Sequence, residues 1–263
     1  MNYLATVEEV RGGKALVVDC RRLAAYEGGH IPGAVKLDIY EHHWPDTTPR
    51  GAKLFVWQMR EVMRRAGVSN GRRVIAYDDD SGMCAARLVW TLDWLGHPDA
   101  AMLDGGMRAW LEAGGEVSKE AVVAKRTTWT PRPDASKAIG IDRLKRDLRR
   151  LTVVDTRSPA EHAGTLVRSA RAGTIPGAIP MHFTDNCREG RFKPVGELRA
   201  MYAAAGVTPD RDIVPLCNGG YRSAHTYVAL RMCGYPRVRN YYAAWQEWGN
   251  RPDTPIRKAG GRA

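Results

Sequence analysis

Residues 217–223 read CNGGYRS: a cysteine, two glycines and an arginine in one short stretch. A thiol kept ionised is a nucleophile, and a glycine-rich loop with a cation five residues on is a way to keep it so. The preceding DIVPLC reads as a buried strand. RSAHTYVALRMC reads as a helix that stops at Gly234, with Pro236 two residues beyond. Cys217 therefore stands at the C-terminal end of a strand, where the chain turns into a helix, and open α/β sheets bind ligands at that edge. Gly219 and Gly220 admit backbone conformations closed to other residues. The loop Asn218, Gly219, Gly220, Tyr221, Arg222, Ser223 can then aim successive N–H groups inward as an anion nest. The helix N-terminus adds partial positive charge and Arg222 a full one. Together they favour a thiolate, a bound anion or a persulfide. The competing reading makes Cys217 a small apolar strand-end residue and the glycines a plain turn. Loop length bears on the chemistry. Cysteine phosphatases space cysteine and arginine by five residues, whereas four separate Cys217 from Arg222. The shorter loop suits a sulfur atom on the cysteine better than a phosphoryl group.

The elements that must position this loop occur twice. VVDCRRLAAYEGGHIPGA (17–34) returns as VVDTRSPAEHAGTLVRSARAGTIPGA (153–178), so that Asp19 and Arg21 answer to Asp155 and Arg157. YDDDSGMCAARLVWTLDWLGHP (77–98) returns as PLCNGGYRSAHTYVALRMCGYP (215–236). Aligning Gly96 with Gly234 places Pro98 on Pro236, Gly82 on Gly220 and Trp110 on Trp248 without a gap. Two homologous halves follow: residues 1–117, a polar linker 118–137 carrying Pro131 and Pro133, and residues 138–263. In each half short apolar strands (ALVVDC, RVIAYDD; LTVVDTR, DIVPLC) alternate with helical patterns such as LFVWQMREVMRRAG and ELRAMYAAAG. That alternation predicts α/β domains, each a mainly parallel sheet flanked by helices. Counting back from Gly96 by the Cys217-to-Gly234 distance puts Asp79 opposite Cys217 and Cys84 opposite Arg222. By that count a carboxylate, not a thiol, stands opposite Cys217 in the first half.

Composition narrows the partners. The net charge is +11, which suits an anionic substrate, but the arginines are scattered and form no nucleic-acid motif, so no nucleic acid is expected. The five cysteines are Cys20, Cys84, Cys187, Cys217 and Cys233; with an odd number and no CxxC, neither a disulfide framework nor a zinc site is expected. No apolar run is long enough for a membrane span, and the N-terminus has no signal-peptide core. A cytoplasmic monomer is the simplest expectation.

With GHIPGA (29–34), LDGGMRAW (103–110), CNGGYR and EWGNRPDTPI (247–256) together, the chain resembles a two-domain rhodanese, a sulfurtransferase of the thiosulfate/3-mercaptopyruvate type. The resemblance covers nearly the whole chain. It implies two tandem rhodanese-like domains of which the C-terminal one is catalytic, with the N-terminal one helping to shape the cleft. It implies transfer of a sulfane sulfur from a small anionic donor to a thiol or cyanide acceptor through a Cys217 persulfide, with no metal or organic cofactor. An arginine of the N-terminal domain is then expected to hold the donor's anionic end, and the matching position is Arg87 in CAARLVW. Thiosulfate is the expected donor. The residues after the cysteine match neither the basic pattern of thiosulfate-preferring members nor the Gly-Ser-Gly of mercaptopyruvate-preferring ones, and Thr174 stands where the first half has His30. The alternatives are a 3-mercaptopyruvate sulfurtransferase and a non-enzymatic rhodanese-like module that binds a partner protein. Asp155 with Arg157 reads as a structural pair, Cys20 and Cys233 as core, Cys187 as an exposed thiol, His225 as a helix residue, and Trp110 and Trp248 as core anchors.

Overall fold

A computed structural model of the chain describes residues 1–79 and 81–258. The chain forms two compact units: residues 1–42, 54–134 and 187–192 make one, and residues 43–53, 135–186 and those from Lys193 onward make the other. Among the described residues no helix is long and apolar enough to cross a membrane.

The first unit runs β1 (Leu4–Ala5), α1 (Val7–Arg11), β2 (Leu16–Asp19), α2 (Leu23–Gly28), β3 (Val35–Lys36), α3 (Pro49–Arg65, of which this unit holds the part from Leu54 on), β4 (Val74–Tyr77), α4 (Met83–Trp94), β5 (Ala100–Leu103) and α5 (Gly106–Glu112). Its sheet has the order β1-β5-β4-β2-β3, and every pairing is parallel. β2, β4 and β5 are buried at every residue, as strands covered on both faces must be, and this is why they read as unbroken apolar runs. Helix α3 starts earlier than its periodicity predicts, at Pro49, whose fixed φ and missing N–H suit a first helical turn.

The second unit holds α6 (Ile141–Asp147), β6 (Thr152–Asp155), α7 (Pro159–Ala163) and β7 (Ile179–Pro180). The hairpin β8 (Cys187–Arg188) and β9 (Arg191–Phe192) groups with the first unit. Then α8 (Val195–Ala204), β10 (Ile213–Leu216), α9 (Tyr221–Met232) and α10 (Ala244–Trp248) complete the second unit. Its parallel sheet β10-β6-β7 continues through single-residue parallel bridges Ile213–Val238 and Ala138–Asn240, which reproduces the strand order of the first unit.

The repeated Asp-Arg pairs tie strand ends to the following turn. Asp155 bonds Arg157 at 2.6 Å, and Arg157 also donates to the Gly173 carbonyl; Asp19 and Arg21 do the same toward Gly29. Both carboxylates are fully buried, so these pairs are structural, as the sequence suggests. Thr174, at the position of His30, donates its hydroxyl to Asp155 at 2.7 Å. His30 instead stacks on Tyr26 at 3.7 Å. Trp110 and Trp248 sit in the cores of their respective units.

Candidate active site

Cys217 follows directly on β10, and α9 begins at Tyr221. Four residues thus carry the chain from strand to helix and wrap its backbone around the thiol. The sulfur is buried and accepts the Gly220 N–H at 3.0 Å. The Ser223 hydroxyl is buried and has no hydrogen-bond partner among the described residues. Burial alone would push the thiol pKa up, but the charge of Arg222 and the Ser223 and Gly219 donors outweigh it, and the thiol lies below its ordinary value. Cys20 and Cys233, buried without such donors, are pushed the other way. Cys217 is thereby set apart from the core cysteines by the direction of its shift. Cys187 is half-buried in β8.

The two loop glycines serve different ends. Gly220 has φ +89°, a left-handed cap of α9 that a side chain would strain. Gly219 has no such torsion. It lacks a side chain because its Cα face is occupied: a methyl group there would lie 3.1 Å from His43 Cε1, 3.4 Å from His43 Nδ1 and 3.7 Å from Gln246 Oε1. Asn218 is half-buried, and Tyr221 is buried with its ring 6.2 Å from that of His43.

Arg222 does not stand as a free cation. Its guanidinium makes a two-pronged contact with Glu161, Nη1 to Oε2 at 2.6 Å and Nη2 to Oε1 at 2.9 Å. Burial by itself would raise the Glu161 carboxyl, but Arg222 and Ser158 hold it down at about 2. Glu161 is also the third residue of α7 and closes a capping box with Ser158. Arg222 therefore acts on the sulfur from a fixed position, with its charge largely compensated.

The loop carbonyls are pinned by α10. Trp245 N–H donates to the Cys217 carbonyl at 3.0 Å and Gln246 N–H to that of Asn218 at 2.9 Å. The approach to α10 passes through Ala244 at φ +55°, a conformation that costs a non-glycine residue about 1 kcal/mol. Asn240, fully buried, adds a side-chain bond to the Gly220 carbonyl at 3.4 Å. With its carbonyls held from behind, the loop keeps its N–H groups on the sulfur.

The first unit shows what the loop becomes without the thiol. β2 and β4 align Asp19 with Tyr77, as β6 and β10 align Asp155 with Leu216. Met107 N–H bonds the Asp78 carbonyl as Trp245 N–H bonds that of Cys217. The counterpart of Cys217 is thus Asp78, not the Asp79 reached by counting back from the helix, because this loop is one residue longer. The Asp78 carboxylate accepts the N–H groups of Gly82, Cys84 and Ala85 at 2.9, 2.7 and 2.9 Å. A built-in anion fills the nest that in the second unit faces a thiol.

Arg87, expected to hold the donor, lies in the second turn of α4 and is buried, its guanidinium 4.8 Å from the Trp90 ring centre and 5.6 Å from that of Phe55. Glu161, His43, Gln246 and Asp78 were not singled out by the sequence reading. Only Glu161 carried a local signal, the Ser-Pro-Ala-Glu capping pattern.

Known proteins agree with this architecture. The family model for the rhodanese-like domain matches residues 5–113 and 141–251. A thiosulfate sulfurtransferase of Pseudomonas aeruginosa is 33% identical over 248 residues, covering 92% of this chain and 90% of that protein. A sulfur carrier protein of Thermus thermophilus is 35% identical over 250 residues, covering 89% and 87%. Among solved structures, an anaerobic ergothioneine biosynthesis enzyme of Chlorobium limicola superposes with a TM-score of 0.86 at 25% identity, over 99% of this chain and 71% of that one. The fold, the repeated sheet order and these matches agree: the chain is a two-domain sulfurtransferase of the rhodanese family.

Proposed function

We propose that the chain moves a sulfane sulfur from thiosulfate to a thiol or cyanide through a persulfide on Cys217. The observation that carries this reading is the buried Cys217 thiol at the strand-to-helix turn, whose sulfur accepts the Gly220 N–H at 3.0 Å and which, despite its burial, the charge of Arg222 helps draw below its ordinary pKa. The Cys217 thiolate attacks the outer sulfur of thiosulfate; the new S–S bond forms as the old one breaks, and its electron pair leaves on sulfite. The resulting Cys–S–S⁻ keeps one negative charge, which the loop donors are placed to receive. The acceptor, as cyanide or thiolate, then attacks the outer sulfur and releases the Cys217 thiolate. No proton has to move once the thiol and the acceptor are ionised.

The donor assignment is supported by the names of relatives in Pseudomonas aeruginosa and Azotobacter vinelandii, each a thiosulfate sulfurtransferase. It does not follow from two free cations selecting a dianion, because Glu161 compensates Arg222. The test is kcat/KM for thiosulfate and 3-mercaptopyruvate with one acceptor. Thiosulfate is expected to be the better donor; a preference for mercaptopyruvate overturns the donor assignment and leaves the persulfide standing.

Arg87 is proposed to hold the anionic end of the donor, on the match of its surrounding CAARLVW to the family pattern. Its burial against Phe55 and Trp90 makes a second role in packing. Arg87→Lys keeps the charge and loses the planar fork. It is expected to raise the donor KM roughly tenfold while leaving the acceptor KM unchanged. A lowered Tm with unchanged donor kinetics would assign Arg87 to packing alone.

A further inference from the structure

Residues 43–53 precede most of the first unit in sequence but belong to the second. A buried clasp holds them there. Thr47 N–H donates to Glu247 Oε1 at 2.8 Å, and the Thr47 hydroxyl donates to Glu247 Oε2 at 2.5 Å. The same hydroxyl accepts the Ile141 N–H at 2.8 Å, and Tyr241 O–H donates to Glu247 Oε2 at 2.7 Å. Thr47 and Glu247 are both nearly inaccessible, so breaking this clasp leaves buried polar groups unmatched. Four residues before the anchor, His43 lies against Gly219, at the one place on the loop where a side chain is missing without a torsional reason. Glu247 stands on α10 next to Gln246, whose N–H pins Asn218. One short helix therefore grips both the catalytic loop and the segment that covers it.

We propose that residues 43–47 are a strut of the sulfur cradle: the Thr47–Glu247 clasp presses the His43 ring onto Gly219, and that contact fixes the loop so that the next residue, Gly220, keeps its N–H on the Cys217 sulfur. His43 is thus a positioning residue that acts through Gly219. A Cβ at Gly219 would crowd the ring at 3.1 Å. The proposal deepens the persulfide reading and rests on the same cradle, but it is tested on the resting thiol, before any sulfur is transferred.

The charged and titratable groups at the sulfur are Arg222, with Glu161 behind it on α7, and the uncharged donors Gly219, Gly220 and Ser223. At the strut they are His43 itself, the Tyr221 phenol, and Glu247 with Asp46. The experiment is the pH profile of Cys217 alkylation by iodoacetamide in the full chain. His43→Ala is expected to move the profile up by about one pH unit, equivalent to about tenfold slower alkylation below the midpoint, as loss of one N–H to a thiolate would. His43→Phe keeps a ring without charge and is expected to stay near wild type. Thr47→Val is expected to follow His43→Ala, and Thr47→Ser to restore the profile. Far-UV circular dichroism on each variant establishes that the thiol is read in a folded chain. An unchanged profile in His43→Ala overturns the strut. A shift in His43→Phe as large as in His43→Ala overturns it in favour of a charge effect of the imidazole. If His43→Ala shifts the profile and yet no persulfide forms in wild type, the strut stands and the sulfur-transfer reading falls.

Discussion

Cys217→Ser is expected to abolish sulfur transfer, by at least about 10³-fold, with the unfolding transition close to that of wild type. The hydroxyl is nearly isosteric with the thiol and can accept the same Gly220 N–H. Its pKa keeps it protonated, however, and oxygen cannot carry sulfane sulfur as a persulfide does. Cys84→Ser is the matched control. Cys84 lies in the first turn of α4, where its N–H serves the Asp78 carboxylate, and that contact survives the substitution. Cyanide-dependent thiocyanate formation measures both variants. Appreciable turnover by Cys217→Ser, or loss of turnover by Cys84→Ser, would move the chemistry to a different residue.

Arg222→Ala is expected to damage both stability and chemistry. Without its partner the Glu161 carboxylate, 2% exposed, keeps, among the described residues, a contact at 3.4 Å with the exposed Arg168 and those with Ser158. Breaking a buried pair from one side costs ~3–5 kcal/mol; with Arg222 partly solvated, about 2–3 kcal/mol is expected. The sign of the pH dependence follows from the depressed carboxyl. Glu161 titrates at about 2 in the folded chain against an ordinary 4.5. Its contribution is complete above about 4.5 and is lost as pH falls toward 2. Denaturant unfolding near neutral pH and near pH ~3 should show that slope in wild type and a flatter one in Arg222→Ala. The double variant Arg222→Ala with Glu161→Gln should recover part of the stability, since no buried charge is left alone, but not the activity. The Cys217 thiol loses its nearest cation, so kcat/KM near neutral pH should fall roughly tenfold to a hundredfold. Unchanged stability and unchanged thiol reactivity together would show that Arg222 belongs to the surface rather than the cradle.

What the sequence made legible is what lies within a few residues of itself. The strand, loop and helix around Cys217 are contiguous, and their signals of apolar run, glycines and helix stop are local. The repeat added the division into two domains of like architecture, because equivalent pieces must pack alike. Contacts distant in sequence stayed hidden. Nothing near Arg222 announces Glu161, 61 residues earlier, although the capping box that contains Glu161 is readable. His43 reaches Gly219 only because Thr47 is clasped by Glu247, and neither residue carries a sequence signature for that bond. The misplacement at Asp79 has a simple origin. Counting back from the helix carries the extra loop residue into the match, whereas counting forward from the paired strands places Asp78 opposite Cys217. The reading of Gly219 as a conformational glycine erred similarly, since composition does not distinguish a torsional need from a steric one.

The central claim is that Cys217 takes up one sulfur atom. The most direct measurement is the intact mass of the protein after incubation with thiosulfate and removal of small molecules, followed by peptide mapping. A gain of one sulfur atom is expected, located on the peptide containing Cys217, lost on addition of cyanide and absent in Cys217→Ser. No gain, or a gain that remains in Cys217→Ser, would contradict it.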